Sequence, residues 1–115
     1  MREAREKVAV FSHCEPENLL ARDQHRYGLA LSRLGNADEA LKVLGMAADN
    51  PDGSAEAALD AARHYLSSGN KTGIHYLELA VRRDPTLDEI AGKLLDSFRT
   101  RQMSYEPPNA LLSAA

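Results

Sequence analysis

Leu34-Gly35-Asn36-Ala37-Asp38-Glu39-Ala40-Leu41 is the stretch that decides the fold, because its Gly-Asn step comes back. Gly35-Asn36 recurs as Gly69-Asn70, and Pro51 recurs as Pro85, both after 34 residues (69 − 35 = 85 − 51 = 34). In each register an apolar pattern of helical period precedes the Gly-Asn turn. A second such pattern fills the stretch from turn to proline. Reuse of one helix-turn-helix unit at this period implies a stacked helical repeat, an architecture that presents an extended surface to a partner.

Working outward, the pattern predicts about six helices. The first spans roughly Glu3 to Cys14, with Ala4, Val8, Val10 and Phe11 on or near its apolar face. Its Lys7-Val8 and Pro16 lie 35 residues before Lys42-Val43 and Pro51, as in the second helix of a unit whose first is missing (51 − 16 = 35). Glu15-Pro16-Glu17 reads as the next helix start. In that helix Leu20, Gln24, Tyr27, Gly28, Leu31 and Leu34 form the packing stripe. Gly35 ends it by accepting positive φ, and Asn36 with Glu39 reads as a capping pair for a helix burying Ala40, Val43, Leu44 and Ala47. Asn50-Pro51-Asp52-Gly53 is a turn and Ser54 an N-cap. Helices through Ala58–Leu66 and Ile74–Val81 follow. Thr86 and Glu89 form a capping box for a last helix with Ile90, Leu94, Leu95 and Phe98. Gly28 and Ala62 are expected where helices approach most closely, with alanine tolerated at 28 and leucine not.

The run Tyr27-Gly28-Leu29-Ala30-Leu31-Ser32-Arg33-Leu34-Gly35-Asn36-Ala37-Asp38-Glu39-Ala40-Leu41, continued by Leu44, Ala47 and Pro51, resembles the heart of a tetratricopeptide repeat. Ala62, Tyr65, Gly69, Val81 and Pro85 agree in the second unit, where Ile74 replaces an alanine and Glu78 a large apolar residue. The resemblance covers roughly residues 20 to 86. It implies an all-α, right-handed superhelical stack of antiparallel helix pairs. The expected organisation is a repeat domain over 1–105, divided into a partial repeat helix (1–15), a repeat (17–51), a divergent repeat (54–85) and a terminal helix (86–103). Residues 106–115 are expected to be a flexible tail.

Composition narrows the function. The chain has 115 residues, with 43% hydrophobic, 27% charged and only 5% aromatic residues, an Ala/Leu-rich helical balance sufficient for one core. The net charge of −3 argues against nucleic-acid or anionic-membrane partners. No apolar run approaches the roughly 18–20 residues of a spanning helix, no secretory signal is visible, and the default location is cytoplasmic. The single Cys14 excludes an intramolecular disulfide. His13, His25, His64 and His75 include no i, i+4 pair, and adjacent His13 and Cys14 would point about 100° apart on a helix. No metal, cofactor or enzyme activity is therefore expected. No GxSxG, HExxH or CxxC occurs, and the glycines do not cluster as a phosphate loop does.

In the family that the chain resembles, the first helix of each unit lines a concave groove. Carried over, this implies Arg22, His25, Arg26, Leu29, Ser32 and Arg33 from one unit. Glu56, Leu59, Asp60, Arg63, Leu66 and Ser67 would come from the next, with Ile90, Lys93, Leu94, Ser97 and Arg101 from the last helix. The expected function is a non-catalytic protein-interaction module. An extended peptide or partner helix would anchor on Leu29, Leu59 and Leu66, oriented by Arg22, Arg26, Arg33 and Arg63, since arginine forks suit carboxylates and backbone carbonyls. Clamping of acidic chaperone tails is not expected, because the corresponding positions read His25, Leu29, Asp60, Ile90 and Leu94. The alternative is self-association, a homodimer or longer array made through the repeat ends, where the first helix offers Val8, Val10 and Phe11 and the last offers Ile90, Leu94 and Phe98.

Overall fold

The computed structural model describes residues 2–104, so the tail expected at 106–115 lies outside the described residues. Six α-helices follow one another: α1 (Arg2–Phe11), α2 (Ala21–Arg33), α3 (Ala37–Asp49), α4 (Ala55–Ser67), α5 (Thr72–Arg83) and α6 (Asp88–Ser104). One-turn 3-10 helices at Pro16–Asn18 and Pro85–Leu87 precede α2 and α6. No strand occurs among the described residues. Each helix packs on its neighbour in the chain, and α2/α3 and α4/α5 form the two closest pairs.

The Gly-Asn turns close α2 and α4 in the same way. Gly35 and Gly69 take φ of 80° and 79°. Asn36 N–H then bonds Leu31 O at 2.9 Å and Asn70 N–H bonds Tyr65 O at 2.9 Å, satisfying carbonyls that the helix leaves open. Ser54 caps α4 as expected, its hydroxyl accepting from Ala57 N–H at 3.0 Å.

Other local expectations are overturned. Pro16 opens only a 3-10 turn, and extended backbone at Leu19 and Leu20 delays α2 to Ala21. Leu20 is consequently 62% exposed instead of packed, and Leu34, just before the turn, is 37% exposed. Asn36 makes no side-chain cap. Thr86 and Glu89 form no box either: the Asp84 carboxylate accepts from Thr86 N–H at 3.1 Å and from its hydroxyl at 2.6 Å. The proline turn, with φ already set for a tight helix, moves the cap two residues upstream.

Small residues let each pair close. A Cβ on Gly28 would lie 2.7 Å from both Cγ and Cδ2 of Leu44. Leu44 is fully buried, so alanine cannot be accommodated freely at 28, contrary to the sequence expectation. In the second pair the glycine has changed helix. A Cβ on Gly73 of α5 would lie 2.5 Å from Leu66 Cγ and 2.9 Å from Ala62 O.

That exchange exposes a register shift. The buried residues Gly73, Tyr76, Leu77 and Ala80 of α5 follow Ala40, Val43, Leu44 and Ala47 of α3 at 33 residues, not 34 (73 − 40 = 80 − 47 = 33). Ile74 and Glu78 therefore never occupied the core positions assigned to them at a step of 34. Ile74 is half-buried and Glu78 exposed, while Leu77 supplies the large apolar group. Two 3-10-type bonds, Gly73 N–H to Asn70 O and Ile74 N–H to Lys71 O, tighten the entry to α5.

Val43 and Leu44 are completely buried, each contributing about 1.5–3 kcal/mol of apolar burial. Tyr76 replaces Val43 in the second pair. Its hydroxyl donates to Asp49 Oδ2 at 3.1 Å, and its ring lies 5.3 Å from that of Tyr65, whose own hydroxyl donates to Leu41 O. Burial, reinforced by the Asp49 carboxylate, pushes the Tyr76 hydroxyl far above its ordinary pKa.

Candidate partner-binding site

The first helices of the two pairs, α2 and α4, touch through polar rungs. Asp60 accepts a 2.7 Å bond from His25 Nε2. About two turns along, Ser32 Oγ and His64 Nε2 are 2.9 Å apart, and His64 Nδ1 lies 2.8 Å from Asp60 O. A carbonyl only accepts, so Nδ1 carries a proton and donates it to Asp60 O. Arg63 Nη1 stands 3.8 Å from Asp60 Oδ1. Asp60 thus receives His25, His64 and Arg63, and is already engaged.

Toward the starts of α2 and α4 the two helices diverge around an open cleft of about 280 Å³. Ala21, Arg22, His25 and Arg26 line one wall; Asp52, Ser54, Glu56 and Ala57 line the other. The loop forming the second wall is held by Asn50. Its side chain donates to Gln24 Oε1 at 3.1 Å and accepts from Asp52 N–H at 2.9 Å. Its carbonyl accepts from Arg83 Nη2 at 3.1 Å, and Arg83 Nη1 reaches Ser54 O at 3.2 Å. Gln24, only 3% exposed, also donates to Pro16 O, tying the turn before α2 into the same network. The cleft is therefore built on fixed backbone, while its arginines are free. Among the described residues neither Arg22 nor Arg26 makes an ion pair, and both are exposed.

The structure divides the residues that the sequence nominated. Arg22, His25 and Arg26 come together in the cleft. Arg33 is exposed at the far end of α2 and does not line it. Leu29 is half-buried against the core. Leu59 and Leu66 are 6% and 3% exposed, so they are core residues and not surface anchors. Both belong to the main apolar cluster, where Leu66 packs against Gly73 of α5. Arg63 stays half-exposed but is drawn to Asp60.

Asp52, Ser54 and the His64 side of the Ser32–His64 rung were not nominated for this surface, whereas Ser32 was. The first two sit in a turn, and the rung depends on an inter-helix offset that no local pattern encodes. Cys14 is exposed after α1, not buried as free cysteines usually are. Among the described residues no cluster of three His, Cys, Asp or Glu side chains could hold a metal ion, and no helix is long and apolar enough to cross a membrane.

No family model matches the chain, and no curated protein or solved structure shows significant similarity to it.

Proposed function

We propose that the chain is a cytoplasmic, non-catalytic adaptor of the tetratricopeptide type, with its helix pairs stacked in a right-handed superhelix. In this reading the α2–α4 side is the concave face and holds an extended peptide. The observation that carries it is the cleft itself: Arg22 and Arg26, which make no ion pair among the described residues, share it with Asp52 and Glu56. The ligand that satisfies both walls is a short segment with an acidic side chain for the arginines and a basic one near it for Asp52 and Glu56. Its backbone can use the remaining guanidinium N–H groups.

Selection from a random-peptide display library tests this. The native chain should enrich sequences that place an acidic residue beside a basic one, and Arg22→Glu with Arg26→Glu should abolish that enrichment while Arg33→Glu keeps it. Equal enrichment by native and doubly substituted chains would remove the cleft from consideration.

A second reading, self-association through the ends of the stack, is favoured by apolar side chains left outside: Val10 is 65% exposed and Ile90 is 41% exposed.

A further inference from the structure

α2 and α4 each lie against a second helix of their own pair, and the positions that meet it are buried: Gln24, Tyr27 and Gly28 on α2, Ala58, Ala61 and Ala62 on α4. The step of 34 residues carries the α4 set onto Gly92, Leu95 and Asp96 of α6 (92 − 58 = 34). The same step puts buried Phe98 where His64 stands, so α6 meets α4 much as α4 meets α2, and Arg101 reaches Leu66 O at 3.5 Å. α6 is thus placed as the first helix of a third pair. Its face for a second helix is open: Gly92 and Asp96 are exposed, and a Cβ on Gly92 would meet no atom within 4 Å. That face opens into a groove of about 330 Å³ between α5 and α6, mostly apolar, which no other described helix covers.

α1 has the converse geometry. It packs on α2 through Ala4, Val8 and Phe11, as a second helix packs on the next pair, and no described helix pairs with it as a first. Glu3, Glu6, Lys7 and Val10 line the side left open.

We propose that α1 of a second copy seats in the α5–α6 groove as the second helix of α6's pair, so that copies associate head to tail. This rests on the self-association reading and narrows it to one geometry. Antiparallel seating, the arrangement that sets Gly28 against Leu44 and Gly73 against Leu66, lays the start of α1 along the end of α6. Glu3 then faces Arg99, Glu6 and Lys7 both stand level with Asp96, and Val10 faces Gly92 and the apolar floor. Opposite charges meet at Glu3 and Arg99; Lys7, which pairs with Glu3 at 3.2 Å within α1, brings a cation beside Glu6 at the level of Asp96; and the exposed valine arrives where there is room for it. Such a contact is heterologous, joining two different surfaces and leaving one of each free at the ends, so it adds copies in series.

Sedimentation velocity of the 115-residue chain at rising concentration should show masses that climb past the dimer. Val10→Glu alone and Gly92→Arg alone should each be monomeric with unchanged circular-dichroism melts. Their equimolar mixture should form a species of two chains that grows no further, because one intact end remains on each. Arg99→Glu should weaken association, and Glu3→Arg in the same chain should restore it, a readout that does not depend on how well Val10→Glu folds. If Gly92→Arg and Arg99→Glu chains still dimerise while Val10→Glu does not, the contact is symmetric through α1 and head-to-tail seating is overturned. A native chain that stays monomeric throughout overturns self-association as a whole. Association that requires Leu111→Glu and Leu112→Glu would put the chain's own later residues in the groove, and would also overturn the proposal.

Discussion

In the first helix pair the glycine stands on the leading helix, where Gly28 lies against Leu44; in the second it stands on the trailing helix, where Gly73 lies against Leu66. Both arrangements bring two backbones together by deleting one side chain, and the leucine opposite fills the space. The difference teaches that the two pairs keep the closeness of approach while its location moves. Moving it shifts the face of α5 by one residue, which brings Tyr76 under Asp49 where the first pair has Val43. A second contrast accompanies the first. Among the described residues α2 leaves Arg22 and Arg26 without an ion pair, whereas α4 has Asp60, Arg63 and His64 occupied with one another and with α2.

The comparison is broken most severely at its glycines. Gly28→Leu and Gly73→Leu should each cost about 3 kcal/mol or more by overpacking a filled contact. Gly28→Ala and Gly73→Ala should still lose about 1–2 kcal/mol, because overpacking exceeds the roughly 1 kcal/mol gained in helix propensity. Thermal melts would show drops of about 4–8 °C per kcal/mol. If alanine raises the melting temperature at either site, the close approach described for that pair is wrong.

Tyr76 separates the pairs by pH. Its hydroxyl has an ordinary pKa of 10.0, raised on folding by burial and by Asp49. Below pH 10 neither state is ionised and the folded hydroxyl contributes in full. Above it the unfolded chain loses its proton first, so stability should fall as pH rises from about 10. Tyr76→Phe should melt lower at pH 8 but decline less steeply above 10. An equal alkaline slope in the two proteins would show that Tyr76 is not the group responsible.

The smallest effect belongs to the seam between the pairs. A double-mutant cycle on His25 and Asp60 should give a coupling of about 0.5–1.5 kcal/mol, the net worth of a partly buried hydrogen bond. Additivity of the two alanine substitutions would mean that the rung contributes nothing to holding α2 against α4.

Much of this framework was legible in the sequence where one residue dictates a local geometry. Gly35 and Gly69 had to take positive φ, and Ser54 was free to cap α4; both occur. The expected Asn36 and Thr86 caps failed because competing local geometry, the Gly-Asn turn in one case and Asp84 in the other, satisfied the backbone first. The α5 register was hidden by a turn-to-turn period of 34 that the helix face does not follow. For the cleft, helical spacing put Arg22 and Arg26 on one side of α2, and the family resemblance added His25. Leu59 and Leu66 could not be excluded that way, since their burial depends on how α4 is turned against α5 and α6. Asp52 and Glu56, which give the opposite wall its charge, meet the arginines only through the Asn50-centred loop.

The claim that Arg22 and Arg26 of α2 hold the partner while Arg63 of α4 does not is tested most directly by titrating one display-selected peptide against three proteins: the native chain, the Arg22→Glu, Arg26→Glu double variant, and Arg63→Glu. Fluorescence anisotropy should show affinity lost by at least about tenfold in the double variant, roughly 1.4 kcal/mol, with the loss shrinking as added salt screens the contacts. Arg63→Glu should bind within about twofold of native, the residue being drawn to Asp60. A double variant that binds like the native chain while Arg63→Glu does not would contradict the account.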